Sequence, residues 1–168
     1  NQPEFADYSV DVEDFGGVYL DAALSDSDED KVKEAELAKA NTEALNDAIK
    51  AVSEHKDNGK CGGKVIIHKG YFYTAAITLD DNVNLHLDKD AFVMFTTDTT
   101  QYPNVLTRWE GVVCYNYSPF IYAYDKTNIA ITGEGTFDGQ ATKEKYWLPW
   151  KNGSVNANES QAAAKKKI

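Results

Sequence analysis

Two adjacent aspartates in the strand-rich part of this 168-residue chain, Asp80-Asp81, are the first candidates for chemistry. Acid–base catalysis by carboxylates commonly uses a pair whose environments keep one group protonated and the other ionised. This pair is followed by Asn82, and Asp and Asn favour turns because their side chains bond the local backbone. We therefore predict that Asp80 and Asp81 stabilise a turn and are not catalytic.

The other titratable candidates are isolated in the sequence. Asp138 lies in a Phe-Asp-Gly turn and has no visible carboxylate partner. His55, His68 and His86 show neither metal-binding nor nucleophile–base spacing. His86 alternates with leucines, so we predict that its side chain points outward from a strand. These residues predict neither a catalytic site nor a metal site.

The composition argues against several classes of function. The formal net charge is −10, whereas nucleic-acid binding requires a basic surface. No run of about 18 apolar residues is present, so no membrane span is predicted. The first four residues lack the basic start of a signal peptide. Cys61 and Cys114 are expected to be free, partly buried thiols, and no metal or other cofactor is predicted.

The predicted elements that position these residues begin with a short strand and a long helix. A first strand and a turn are predicted within Phe5–Leu20, and a helical period follows from about Asp28 to His55. One face of this helix carries its apolar residues: Ala44, Leu45, Ala48, Ile49 and Val52. Asn58-Gly59 and Gly62-Gly63 are predicted to end the helix.

From Gly63 onward the pattern changes to short strands, most of them joined by turns too short for a crossover helix. The predicted strands are Lys64–His68, Tyr71–Tyr73, Ile77–Leu79, Val83–Leu87, Ala91–Phe95, Phe120–Tyr124, Asn128–Thr132 and Thr136–Asp138. An antiparallel sandwich or barrel fits this pattern, and so does a β-helix. A weak internal echo favours the β-helix, because Asn82–Leu87 resembles Asn128–Gly133 and such a match places one corner on different coils.

Longer segments resemble one known family. Asn128–Gln140 reads NIAITGEGTFDGQ and resembles a strand–turn segment of the pectin-degrading β-helix enzymes of glycoside hydrolase family 28. Tyr102–Tyr124, YPNVLTRWEGVVCYNYSPFIYAY, is similar to a segment of the family's bacterial members. Gly62–Phe95 is similar to their first coils, and the resemblance covers about residues 41–153.

The resemblance implies a mainly β fold, a right-handed parallel β-helix whose first coils follow an N-terminal capping α-helix. Residues 1–168 are then one domain. Residues 1–60 hold the first strand and the capping helix, and 61–150 the coils, with a long insertion near 96–119. Residues 151–168 are a tail. Glu159–Ile168 reads as a helix that is only starting, so we expect a fragment whose exposed last coil promotes self-association.

Enzymes of this family are inverting hydrolases of α-1,4-galacturonan, so the resemblance implies a pectin- or polygalacturonate-like partner and a secreted or periplasmic location. Their catalytic motifs are an Asn-Thr-Asp strand, an Asp-Asp pair, a Gly-His-Gly and an Arg-Ile-Lys, and this set does not occur here; the Asp80-Asp81 pair is the one predicted above to stabilise a turn. We therefore expect no catalytic residue in this chain and no activity from it alone.

The resemblance also suggests substrate-binding residues, Arg108 and Trp109, within the long insertion. Arginine binds a uronate carboxylate through two hydrogen bonds, and tryptophan can stack on a sugar face. In the alternative, Arg108 pairs with Glu110 and Trp109 packs on the coil. Trp147 and Trp150 are expected to pack on the core or an edge.

Two other functions remain open at this stage. A β-helix module can bind polysaccharide or serve in assembly without catalysis. A polysaccharide lyase would require a calcium site, for which no carboxylate cluster stands out in the sequence.

Overall fold

The computed structural model describes residues 2–142, so Trp147, Trp150 and the predicted tail lie outside the described residues. The chain opens with strand β1 (Ser9–Asp11) and a 3-10 turn, Val12–Phe15. Helix α1 runs from Asp28 to Glu54. Ser27 caps its first turn by accepting a hydrogen bond from the Asp30 amide at 3.1 Å, and acidic residues there complement the helix dipole.

The predicted helix, about Asp28 to His55, is confirmed, but the glycines after it do not end it. His55 follows Glu54 as the C-cap, and its amide donates to the Val52 carbonyl at 3.1 Å. Asn58-Gly59 instead forms the positive-φ turn of a small hairpin that joins β2 (Lys56–Asp57) to β3 (Lys60–Cys61). The prediction that these residues end the helix was therefore wrong.

The following strands form coils, each lying on the one before. The first coil contains β4 (Gly63–Ile67), β5 (Gly70–Thr74) and β6 (Ile77–Thr78). The second contains β7 (Val83–Leu87), β8 (Ala91–Phe95) and β11 (Ile121–Tyr122). The third contains β12 (Ala130–Gly133) and β13 (Thr136–Asp138). Between β8 and β11 the chain leaves the coil to form β9 (Asn104–Trp109) and β10 (Val112–Tyr117).

Every coil strand pairs in parallel with its equivalent one coil away. The sheets are β1-β4-β7-β12, β5-β8-β13 and β6-β11. This parallel pairing excludes the antiparallel sandwich that the strand pattern had left open.

The core consists of inward side chains stacked in this register. Val65 lies on Leu85, and Phe72 lies on Val93, all fully buried. The apolar face of α1 closes the end of this stack, as predicted, through Ala44, Leu45, Ala48, Ile49 and Val52. Hydrophobic burial between coils and under the helix is therefore the main stabilising term.

The sequence echo corresponds to this register. Asn84 pairs with Ala130, and Leu87 pairs with Gly133. Asn82 and Asn128 both have positive φ, and the Asn128 amide donates to the Asn82 side-chain oxygen at 3.0 Å across 46 residues. The echo thus marks equivalent corners on successive coils.

A single buried asparagine fastens the capping helix to the coils. The Asn41 amide nitrogen donates to the carbonyls of Val18 and Tyr73, both at 2.9 Å. Its side-chain oxygen accepts from the Val18 amide at 2.8 Å. Asn41 is completely buried, so these bonds have no water to replace them.

We expect Asn41→Ala to lower the free energy of unfolding by about 3 kcal/mol, because it leaves several backbone groups unpaired. Urea unfolding measures this cost. Asn46→Ala, an exposed position on the same helix, should change stability by less than about 0.5 kcal/mol. Equal effects of the two substitutions would contradict the role of Asn41.

Candidate functional site

The candidate site lies beside the β9–β10 hairpin, which interrupts the second coil. Its strands are antiparallel, with Arg108 opposite Val113 and Trp109 opposite Val112. Glu110 and Gly111 form a two-residue turn with φ of 46° and 88°, as a tight hairpin requires. The hairpin therefore has a defined register, which fixes where each side chain points.

The base of the hairpin is attached to α1. The buried Glu34 carboxylate accepts from the Thr97 amide at 2.8 Å, and the Gln101 side chain donates to the Ala35 carbonyl at 2.9 Å. Burial raises the pKa of Asp98, but hydrogen bonds from Thr100 and Gln101 outweigh burial and lower it. These contacts hold the hairpin against the capping helix.

An open cleft of about 450 Å³ separates the hairpin from the second coil. Its wall is mostly apolar, and the residues that define its character are Leu106, Arg108, Val113, Pro119, Tyr122 and Tyr124. The Tyr122 hydroxyl donates to the Leu106 carbonyl at 2.8 Å and so bridges hairpin and coil. No acidic side chain lines the cleft, and Arg108 is its single cation among the described residues.

The Arg108 side chain forms one hydrogen bond within the hairpin, through Nε. Its Nε donates to the Gly111 carbonyl at 3.2 Å. Within residues 2–142 it forms no ion pair with Glu110 or any other carboxylate. The terminal guanidinium nitrogens can therefore donate hydrogen bonds to the carboxylate of a ligand.

Trp109 does not share this cleft. Neighbouring residues in a strand point to opposite faces, so Trp109 lies on the hairpin face away from Arg108. Its side chain is 52% exposed and does not line the cleft. The structure thus separates the two residues that the sequence grouped together.

Tyr124 is the cleft residue that sequence reasoning missed. It lies just beyond β11, lines the same cleft as Arg108 and is 59% exposed. Tyr124 ends the segment Tyr102–Tyr124 that resembles the family, but nothing in the sequence distinguishes it from the buried tyrosines. Tyr124 is recognised by its exposed ring in the cleft that Arg108 also lines, and this arrangement exists only in the folded chain.

Comparison with known proteins places this geometry in context. No protein-family model matches the chain. An exopolygalacturonase from Thermotoga maritima aligns with 100% of this chain at 33% identity and a TM-score of 0.74. A family 28 exopolygalacturonase from Yersinia enterocolitica aligns with 78% of the chain at 24% identity and a TM-score of 0.55. A Vitis vinifera protein named "Probable polygalacturonase" is 28% identical over 106 residues, 60% of this chain.

The chain is similar to polygalacturonases in sequence and in fold. The predicted fold class, a right-handed parallel β-helix with an N-terminal capping helix, is confirmed. This polygalacturonase-like chain covers 34% of the Thermotoga maritima structure, 20% of the Yersinia enterocolitica structure and 21% of the Vitis vinifera protein.

In this polygalacturonase-like chain, Asp80 and Asp81 tie one coil to the next. Lys126 Nζ lies 2.7 Å from Asp80 Oδ1, and this bond lowers the pKa of the Asp80 carboxyl and raises that of Lys126. Asp81 accepts from the Thr127 amide at 2.6 Å and from its hydroxyl at 3.1 Å, which lowers the Asp81 pKa. Two carboxyls held ionised in this way suit a structural role and not that of a general acid.

The remaining candidates are also engaged in local structure. Asp138 accepts from the Gln140 amide at 2.7 Å within its turn. His86 points outward and lies 2.7 Å from the Thr132 hydroxyl. His68 lies 2.9 Å from Asp11. Among residues 2–142, no group of three or more His, Cys, Asp or Glu side chains has a metal-binding arrangement.

Two further sequence predictions concern the thiols and the membrane. Cys61 and Cys114 are free and half-buried, as predicted. Within the described part of the chain, no helix combines the length and apolar character that a membrane span needs.

We expect Asp80→Asn to destabilise the chain at pH 7 and to cost progressively less under acid conditions. The folded pKa of Asp80 lies below the ordinary 3.8. Its contribution is therefore fully present above pH 3.8 and is lost as the pH falls through the folded pKa. Urea unfolding of both proteins from pH 7 to pH 2.5 measures the difference. Asp47→Asn, on the exposed face of α1, should show no such trend; a cost of Asp80→Asn that is constant with pH would refute the ion pair.

Proposed function

We propose that this chain supplies the cap and first coils of a hydrolase of polygalacturonan, and one wall of its substrate cleft. The observation that carries the proposal is the open cleft in which Arg108 is the single cation that residues 2–142 supply. The relationship to polygalacturonases supports the reaction class, and the cleft supports the class of ligand.

The negative net charge of the chain makes Arg108 important for binding a polyuronate. The chain has a formal net charge of −10, so a polyuronate is repelled at long range. Binding then depends on short-range contacts that place a positive group against each carboxylate. A guanidinium forms two parallel hydrogen bonds to a carboxylate, and the free edge of Arg108 is suited to this.

We assign catalysis to residues outside this chain. Inverting hydrolysis needs two carboxyls about 6.5–9.5 Å apart, one protonated and one ionised. The candidate carboxylates of the strand region, Asp80, Asp81 and Asp138, are engaged in turns and coil contacts. The chain alone is then inactive, and the complete protein acts in the secreted or periplasmic space.

Self-association of the isolated chain also belongs to this proposal. Ile131 lies in register on Leu85 at a core position of the third coil, yet it is 46% exposed. An apolar core position open to solvent favours burial against another molecule. Sedimentation of the 168-residue chain at several concentrations tests this expectation.

A non-catalytic polysaccharide-binding module is the second candidate, favoured by the same cleft in a region without a catalytic pair. The two functions differ in one assay. A hydrolase releases reducing ends from polygalacturonate, whereas a binding module retains the polymer without cleaving it.

In the complete protein, we expect Arg108→Ala to raise KM for polygalacturonate by roughly tenfold to a hundredfold, because a charged hydrogen-bonded contact contributes about 1.5–3 kcal/mol. A reducing-sugar assay measures KM and kcat. Arg108→Lys should recover only part of the loss, since lysine cannot form the two-bond contact. Glu110→Gln, in the hairpin turn, is the control and should leave KM unchanged; an unchanged KM for Arg108→Ala would exclude Arg108 from the site.

A further inference from the structure

We propose that Tyr124 is the surface on which a sugar ring stacks beside Arg108, an assignment that rests on the proposed function for the identity of the ligand. The two residues line one cleft, Arg108 from the hairpin and Tyr124 from the segment after β11. The geometry thus gives the ring-binding role to Tyr124 and not to Trp109.

Among residues 2–142, the aromatic residues that line the cleft are Tyr122 and Tyr124. Trp109 lies on the opposite hairpin face. Tyr122 is half-buried, and its hydroxyl is used in the bond to the Leu106 carbonyl. Tyr124, by contrast, is 59% exposed while lining the cleft. Among the described residues, its ring is therefore the exposed aromatic surface of the cleft that Arg108 also lines.

The two side chains match two features of one uronic acid unit. A pyranose ring presents C–H groups that pack against an aromatic face. The same unit carries a carboxylate at its edge, which a guanidinium binds through two hydrogen bonds. A neutral sugar offers only the first feature, and a small carboxylic acid only the second. The pair therefore selects for a ring that carries a carboxylate.

The arrangement is fixed before the ligand arrives. The bond from Arg108 to the Gly111 carbonyl restrains the guanidinium, and contacts of the hairpin base with Glu34 and Ala35 hold the hairpin itself. A restrained site loses less conformational entropy on binding, which preserves affinity. An unfastened hairpin would hold Arg108 and Tyr124 at no constant separation.

The test measures trigalacturonate binding to the complete protein by calorimetry, and KM for polygalacturonate by reducing-sugar release. We expect Tyr124→Ala to weaken binding roughly fivefold and to raise KM by a similar factor. Tyr124→Phe, which keeps the ring, should stay within about twofold. Tyr124→Leu, which keeps apolar bulk without a ring, should weaken binding as Ala does. Trp109→Ala is the matched control, because Trp109 is 52% exposed on the opposite face of the hairpin and does not line the cleft.

The outcomes separate this inference from the proposed function. In one outcome the wild type hydrolyses polygalacturonate, but Tyr124→Ala and Tyr124→Leu leave Kd and KM unchanged. This result overturns the role of Tyr124 and leaves the proposed function intact. In another outcome trigalacturonate binding depends on Tyr124 and Arg108, but no hydrolysis occurs. This result supports the role of Tyr124 and overturns the proposed hydrolase function. Loss of binding in Trp109→Ala equal to that in Tyr124→Ala also contradicts the inference. A wild type that neither binds nor hydrolyses overturns both.

Discussion

A parallel coil can bury its apolar side chains only against the coil on either side, so the first coil of a β-helix needs a cover of another kind. Helix α1 provides that cover, since Leu45, Ile49 and Val52 pack over the open end of the stack. The need for this cover explains why a 27-residue helix precedes the coils. It also explains why buried Asn41 is bonded to backbone groups of two neighbouring segments: the cover must be held in one position.

The same helix fixes the position of the candidate site. The hairpin leaves the second coil after β8 and returns before β11, and β11 still pairs in parallel with β6. The coil register therefore tolerates the insertion, because the strands on either side satisfy their own hydrogen bonds. Contacts of Glu34 and Ala35 with the hairpin base then connect α1 to the cleft wall. Cap, coils and cleft form one continuous set of contacts.

Much of the scaffold could be predicted from local pattern, whereas the site could not. The apolar face of α1 follows from helical periodicity, and the Asn82–Asn128 echo marked the coil repeat before any pairing was known. The helix end near His55 was predicted correctly, but the role given to Gly62 was wrong, because Gly62 makes a distant contact: a Cβ there would lie 1.7 Å from the Asn82 carbonyl oxygen. Arg108 and Trp109 are neighbours in sequence, but hairpin pairing, which the strand pattern did not predict, sends them to opposite faces.

The central claim is that successive coils lie in parallel register under α1. Through-space NMR contacts from the backbone of Leu85 test it most directly. The structure predicts contacts to Val65 on one side and to Ile131 on the other, in a parallel pattern. Antiparallel contacts between strands consecutive in the chain, such as β4 with β5, would contradict the β-helix and the cleft built on it.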